Sequence, residues 1–249
     1  MTDKIKNVAI LICSHDGFSS LWEPLERSYV KYWPNCPLKI YLGTNFLEPD
    51  LKTFQTLAIG SESSWSDYIL KCLDNIDEEY VLLTFDDVFW ASNIDNNKLV
   101  PLIDQAMKER WNYLRFHPSP RGRSHFSSGL SYLDPGAQYR TSTALALFKK
   151  DVFISLLDRS ETAWDFEIKG SRRSDHLDNF YVSREKILPY INLVVKSKVD
   201  TFAAKKLRRQ GISLANLALV DMRLSQAISR KIYTLAYAVY RRIRDRFIF

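Results

Sequence analysis

Tyr80-Val81-Leu82-Leu83-Thr84-Phe85-Asp86-Asp87-Val88-Phe89-Trp90 is the stretch on which the reading of this chain turns. The run from Tyr80 to Phe85 suits a strand buried on both faces, and it leads directly into two adjacent carboxylates. Open α/β sheets take their ligands at the carboxyl ends of strands, so the position suits a site. A carboxylate there can hold Mg²⁺ or Mn²⁺, which binds diphosphate oxygens and neutralises charge on a leaving group. Two acids after a strand also make an ordinary solvated turn. Against the turn stand Phe85, Val88, Phe89 and Trp90, which favour burial, because acids embedded among such residues need a cation or hydrogen-bond donors.

Upstream, Val8 to Cys13 is a second apolar run, ending in Ser14-His15-Asp16-Gly17 as a strand stopping at a functional loop would. A helix is expected over 22–32, broken by Pro34 and Pro37, then a strand over 38–43. Ser64-Trp65-Ser66-Asp67 opens a further helix with N-cap residues. Downstream come a helix over 98–110, a strand over 113–116, and a long irregular segment, 118–140, of a length often used for binding loops. A strand over 143–148, a helix over 151–157 and a strand over 188–195 complete the pattern. The alternation predicts an α/β domain with a mixed central sheet flanked by helices.

The 249 residues are 46% hydrophobic and 26% charged, which excludes a disordered or fibrous chain. Three widely spaced cysteines without a CxxC argue against a disulfide scaffold or zinc module and for a reducing compartment. The N-terminal segment lacks a signal-peptide core, and no run reaches the ~20 apolar residues of a spanning helix, so a cytoplasmic protein is expected. The net charge of +6 is unevenly placed: residues 205–249 carry 11 Lys/Arg against Asp221 and Asp245, leaving the rest slightly acidic. At helical spacing Ile228, Ile232, Leu235, Val239 and Ile243 share one side, with Arg223, Arg230, Arg241 and Arg244 opposite. That is a basic amphipathic helix suited to an anionic membrane surface. The same stripe also suits packing on the main domain or dimerisation. The division expected is 1–211 for the α/β domain and 212–249 for the tail.

A second acidic group lies at Glu161-Thr162-Ala163-Trp164-Asp165-Phe166-Glu167. If extended, it places Asp165 and Glu167 on one side and the aromatics on the other. One carboxylate for a metal and another to deprotonate a hydroxyl form the minimum set for metal-assisted transfer; an acidic loop anchored by two aromatics is the plainer alternative. Arg121, Arg123 and Arg140 are candidates for a diphosphate, although solvated charges describe the first two better. His15 and His117 read as structural. No GxGxxG or GxxxxGK[ST] is present, which leaves dinucleotide and P-loop readings without support.

The Ser14/Asp16 loop, Gly43-Thr44-Asn45 after the second strand, Trp65-Ser66 opening a helix and the Asp86-Asp87 pair together resemble bacterial GT-A glycosyltransferases of surface-polysaccharide (O-antigen or capsule) clusters. Trp164 to Glu167 with Lys169-Gly170-Ser171, and Val195 to Lys198 leading to Gly211-Ile212, fit the same pattern. The resemblance covers residues 8 to about 212, and its motifs are short. It implies a nucleotide-sugar donor, a UDP-sugar, contacted by Ser14, Asp16, Asn45, Trp65 and Asp86. It implies a divalent metal on Asp87, with His176 as a further ligand or else a surface residue. Asp86-Asp87-Val88 stands where the family has Asp-x-Asp, and this leaves Asp86 for ribose or a sugar hydroxyl. Glu167 is the implied base of an inverting transfer and Asp165 its reserve. The acceptor implied is a lipid-linked oligosaccharide or polysaccharide, met by a peripheral enzyme at the inner face of the cytoplasmic membrane. The alternatives are a nucleotidyltransferase, for which the Gly-rich basic loop after the first strand is missing, and a noncatalytic membrane-surface binding protein. Nucleic acid is not an expected partner, because the main domain is slightly acidic and its aromatics are not interleaved with Lys/Arg.

Overall fold

The computed structural model describes residues 5–122, 125–127, 129–223, 225–230, 232 and 236, and the chain parts into two compact units at Tyr190/Ile191. In the first, β1 (Val8–Cys13), α1 (Trp22–Tyr32), β2 (Lys39–Thr44), β3 (Gln55–Ala58), α2 (Trp65–Asp74) and β4 (Tyr80–Phe85) follow in order. Then come β5 (Val88–Trp90), α3 (Asn96–Lys108), β6 (Tyr113–Arg115), β7 (His125–Ser127), β8 (Leu130–Tyr132), β9 (Ala146–Lys149), α4 (Lys150–Leu156) and β10 (Phe180–Ser183). Nine of these strands form one mixed sheet in the order β3-β2-β1-β4-β9-β6-β10-β8-β7.

All six residues of β1 are buried, as an unbroken apolar run requires of a central parallel strand. On one face Leu11, Cys13, Leu83 and Ala146 pack with Tyr68, Ile69 and Cys72 of α2 and with Phe153 and Leu156 of α4. Alternation sends Ile10, Ile12 and Leu82, all fully buried, to the other face. There the buried stripes of α1 and α3 are available to cover them, and Tyr29, Trp33 and Trp90 form an aromatic cluster with ring separations of 5.1 to 6.2 Å.

The directions of the strands position the site. β1, β2, β3 and β4 are parallel, and β9 runs antiparallel to both β4 and β6. The ends of β1, β2, β4 and β6 and the start of β9 therefore share one edge. Leu83 of β4 and Arg115 of β6 both stand opposite Ala146.

Three expectations are corrected. The 118–140 segment is not wholly irregular, because it contains the hairpin β7–β8, joined to the sheet through β10. Phe126, Tyr132 and Tyr181 hold it there with ring separations of 4.7 to 5.0 Å, a long-range cluster that three-residue strands do not announce. Residues 163–173 are helical and not extended. The expected strand over 188–195 divides into Tyr190–Asn192 and Val194–Val195.

In the second unit Val194–Val195 pairs with Lys198–Val199, and Asp200 caps the helix Thr201–Arg209 by accepting from the Ala203 N–H at 2.8 Å. Asp200 also meets Arg230 at 2.5 Å. Residues 225–230 are helical, and Ile228 and Ile232 are exposed. Most of the expected amphipathic helix, including Leu235, Val239 and Ile243, lies outside the described residues. Among the described residues no helix is long and apolar enough to cross a membrane.

Candidate active site

The end of β4 is tied to β1 by the Asp86 N–H, which donates to the Cys13 carbonyl at 3.1 Å. Asp86 is buried, and its carboxylate accepts from the Ser14 hydroxyl. Ser14 is itself fixed, accepting from the Trp22 indole N–H at 2.6 Å and donating its backbone N–H to the Tyr68 hydroxyl at 3.0 Å. Tyr68 reaches Ser14 because Gly43 has no side chain: a Cβ there would stand 2.1 Å from the tyrosine oxygen. Burial pushes the Asp86 carboxyl up to about 8; the charge of Asp87 adds to this and the Ser14 hydrogen bond offsets part of it. Asp86 is thus an acid held protonated near neutrality by its burial. Asp87, beside it, is half-buried.

The loop after β1 is clasped to the loop after β2. The Asp16 carboxylate accepts from the backbone N–H groups of Asn45 and Phe46, each at 3.0 Å, and of Leu47 at 3.3 Å, while its own N–H donates to Asn45 Oδ1 at 3.2 Å. Asn45 in turn donates to the Gly60 carbonyl at 3.2 Å and to Glu62. Both residues therefore shape a rim, with Phe46 exposed on it. Trp65 packs on Phe166 with ring centroids 5.5 Å apart, and its buried indole N–H has no partner.

The second acidic group separates, because its backbone is helical. Asp165 closes a capping box with Thr162 and meets Lys169 at 3.3 Å; the Thr162 hydroxyl, then Lys169, hold its carboxyl below the usual range. Glu161 is buried in a two-point contact with Arg173 at 2.5 and 2.8 Å. Glu167 lies in the π-turn Phe166–Gly170, a wide turn of a kind frequent at functional sites. There Phe166 faces the core while Glu167 Oε1 accepts from the Thr143 N–H at 2.8 Å and hydroxyl at 3.1 Å. Gly170 permits the turn, since a Cβ there would stand 2.9 Å from the Phe166 ring. Thr143 lies three residues before β9, so Glu167 is brought to the edge where Asp86 and Asp87 lie.

Other expected residues stand apart. Arg140 is buried, donating to the carbonyls of Leu133 and Leu177 at 2.8 Å and lying over the Phe180 ring at 4.0 Å. It is a fastener between segments, not a diphosphate ligand. Arg123 lies outside the described residues. His176 is exposed on a short 3-10 turn. Among the described residues no three His, Cys, Asp or Glu side chains gather as a metal cage. The donor set at the end of β4 suits a cation that takes most of its ligands from a substrate and water, as Mg²⁺ does. Sequence reasoning missed Thr143 and Arg115; only the position of Arg115 at the end of a strand signalled it. A recess of about 550 Å³, lined in part by Lys6, Lys39, Lys52 and Glu78, lies at the opposite edge of the sheet.

No protein-family model and no curated protein matches the chain. Solved structures do. S. aureus TarS 1–349 in complex with UDP superposes with a TM-score of 0.52 at 11% identity, over 86% of this chain and 67% of that one. The same protein with UDP-GlcNAc gives 0.46 at 11% identity, over 75% and 57%. The mannosyltransferase PcManGT of Pyrobaculum calidifontis, with GDP-Man and Mn²⁺, gives 0.49 at 11% identity, over 81% and 60%. This chain spans 59% of the TarS 1–349 structure without ligand. The overlay on the UDP complex, with the mixed sheet and its flanking helices, defines a GT-A-like fold.

Proposed function

We propose that the chain is an inverting glycosyltransferase of surface-polysaccharide synthesis, moving a sugar from a UDP-sugar to a lipid-linked oligosaccharide or polysaccharide. The observation that carries this is the placing of two acid sites on one sheet edge: the Asp86-Asp87 pair after β4, and Glu167 anchored beside β9 through Thr143. TarS, the structure that supports the fold, was solved with UDP, which favours a uridine donor. The Asp16–Asn45 clasp shapes the rim where base and ribose would rest, and Ser14 and Trp65 would join it in holding the donor. A divalent metal held by Asp87, with Asp86 behind it, would neutralise the diphosphate leaving group. Thr143 occupies one oxygen of Glu167 and leaves the other to take the proton of the acceptor hydroxyl. The +9 charge of residues 205–249 would hold the enzyme to anionic lipid at the inner face of the cytoplasmic membrane, close to such an acceptor.

The test is release of UDP from a panel of UDP-sugars that depends on added lipid-linked glycan. Glu167→Gln should keep donor binding and lose roughly 10²- to 10⁴-fold in acceptor-dependent turnover. If Asp165→Asn is the crippled variant while Glu167→Gln turns over normally, the base has been misassigned.

A further inference from the structure

Arg115 ends β6 on the edge that carries Asp86, Asp87 and Thr143. It shares a sheet face with Tyr113, two residues earlier, whose ring stands 4.8 Å from Phe148 in the core against which Phe166 packs. The π-turn bearing Glu167 is on that face. The Tyr113 hydroxyl, which donates to the Ser142 carbonyl at 2.8 Å, registers both groups: it is pushed up to about 12, chiefly by burial, while the charge of Arg115 and a hydrogen bond with it offset part of the rise and Glu167 adds to it. Cation and carboxylate thus neighbour one hydroxyl, yet among the described residues no ion pair joins them.

Apart from its hydrogen bond with the Tyr113 hydroxyl, the guanidinium is not consumed by the fold. Its Nε and Nη1 are both shielded from solvent and have no hydrogen-bond partner. The sheltered arginines Arg140 and Arg173 behave differently, spending their N–H groups on backbone carbonyls and on Glu161. Arginine does not shed its proton, so the charge stays and these two donors remain unmet until something outside the chain meets them. The groups that match such donors are oxyanions, carboxylate or phosphate.

We infer that Arg115 is the contact for an oxyanion of the substrate, held beside Glu167 where the sugar is transferred. The location rests on the glycosyltransferase reading; the oxyanion chemistry does not. Two sources supply such a group: the diphosphate of the donor, and an acidic substituent on the transferred sugar or acceptor.

The experiment is calorimetric titration of the full chain, wild type, Arg115→Lys and Arg115→Gln, with pyrophosphate, UDP, glucuronate and, as neutral controls, uridine and glucose. Arg115→Gln should weaken at least one oxyanion probe by about ten-fold or more, Arg115→Lys less, with the neutral probes unchanged. Weakening of pyrophosphate and UDP assigns the contact to the donor diphosphate; weakening confined to glucuronate assigns it to an acidic sugar. Equal binding of every oxyanion probe by wild type and Arg115→Gln overturns the inference, as does wild type binding none of them. Should the Gln variant fail to fold, the titration of Arg115→Lys replaces it. The Lys variant must then bind the effective probe more weakly than wild type, and equal binding of every oxyanion probe overturns the inference. Pyrophosphate binding through Arg115 in a chain that binds no nucleotide sugar sinks the glycosyltransferase reading alone. UDP-sugar binding with every oxyanion probe indifferent to Arg115 sinks the inference alone.

Discussion

Asp86 makes the protein's stability depend on pH in a direction set by its burial. Its folded value of about 8 lies above the ordinary carboxyl range, so the folded state holds a proton that the unfolded chain releases from about pH 4 upward. Stability should therefore fall as pH rises from about 4 to 8, by an amount on the order of a few kcal/mol, and level off above that. Asp86→Asn removes the proton and should flatten the decline, read as urea midpoints at pH 5 and pH 8. An undiminished decline in the variant would place the titrating group elsewhere. Thr143 acts by position: Thr143→Val deletes the hydroxyl bond to Glu167 but keeps the backbone one. It should lower kcat for acceptor several-fold while leaving UDP affinity unchanged, whereas a merely structural threonine would change neither once the fold is intact.

At the scale of elements, the two glycines that admit close contacts carry the clearest expectations. Gly43→Ala sets a Cβ 2.1 Å from the Tyr68 oxygen, so Tyr68 must leave the Ser14 N–H and the support behind Asp86 loosens. A loss of about 1–3 kcal/mol in thermal unfolding, together with weakened donor binding, is expected; wild-type stability would show that the tyrosine moves freely. Elements with long apolar runs or strong breakers were legible in the chain. The helix Trp22–Tyr32 and the strand Tyr80–Phe85 fall where the pattern of residues places them, and Ser64 caps its helix by accepting from the Asp67 N–H at 3.0 Å. Short elements stabilised by distant partners were not. The hairpin β7–β8 depends on Tyr181, some fifty residues later, and the π-turn depends on Phe166 entering the core beside Gly170. The candidate site was legible to the same degree. Asp86 and Asp87 stand at the end of a long buried strand, whereas the anchoring of Glu167 by Thr143 and the unmet donors of Arg115 arise only when β6 and β9 come together.

For the whole molecule, the sheet gathers its strand ends on one edge, and the sequence concentrates its positive charge in residues 205–249. Arg230 pairs with buried Asp200 and Ala227 is buried, so truncation should spare both. Removing residues 231–249, which carry Lys231, Arg241, Arg242, Arg244 and Arg246, should weaken cosedimentation with anionic vesicles by about 1 kcal/mol per basic residue lost near the surface, and salt should weaken the wild type likewise. UDP-sugar binding should persist. Equal vesicle binding by both forms would remove the membrane role from this segment.

The central claim is that the edge at the end of β4 binds a nucleotide sugar. Thermal unfolding of wild type and Asp87→Asn against a panel of nucleotide sugars, with and without Mn²⁺, tests it most directly, because a ligand of the folded state raises the midpoint by mass action. The account predicts that at least one UDP-sugar raises the wild-type midpoint, more so with Mn²⁺, and that Asp87→Asn unfolds like the unliganded wild type and loses that response. A wild type indifferent to every nucleotide sugar, or an Asp87→Asn variant stabilised to the same extent, would contradict it.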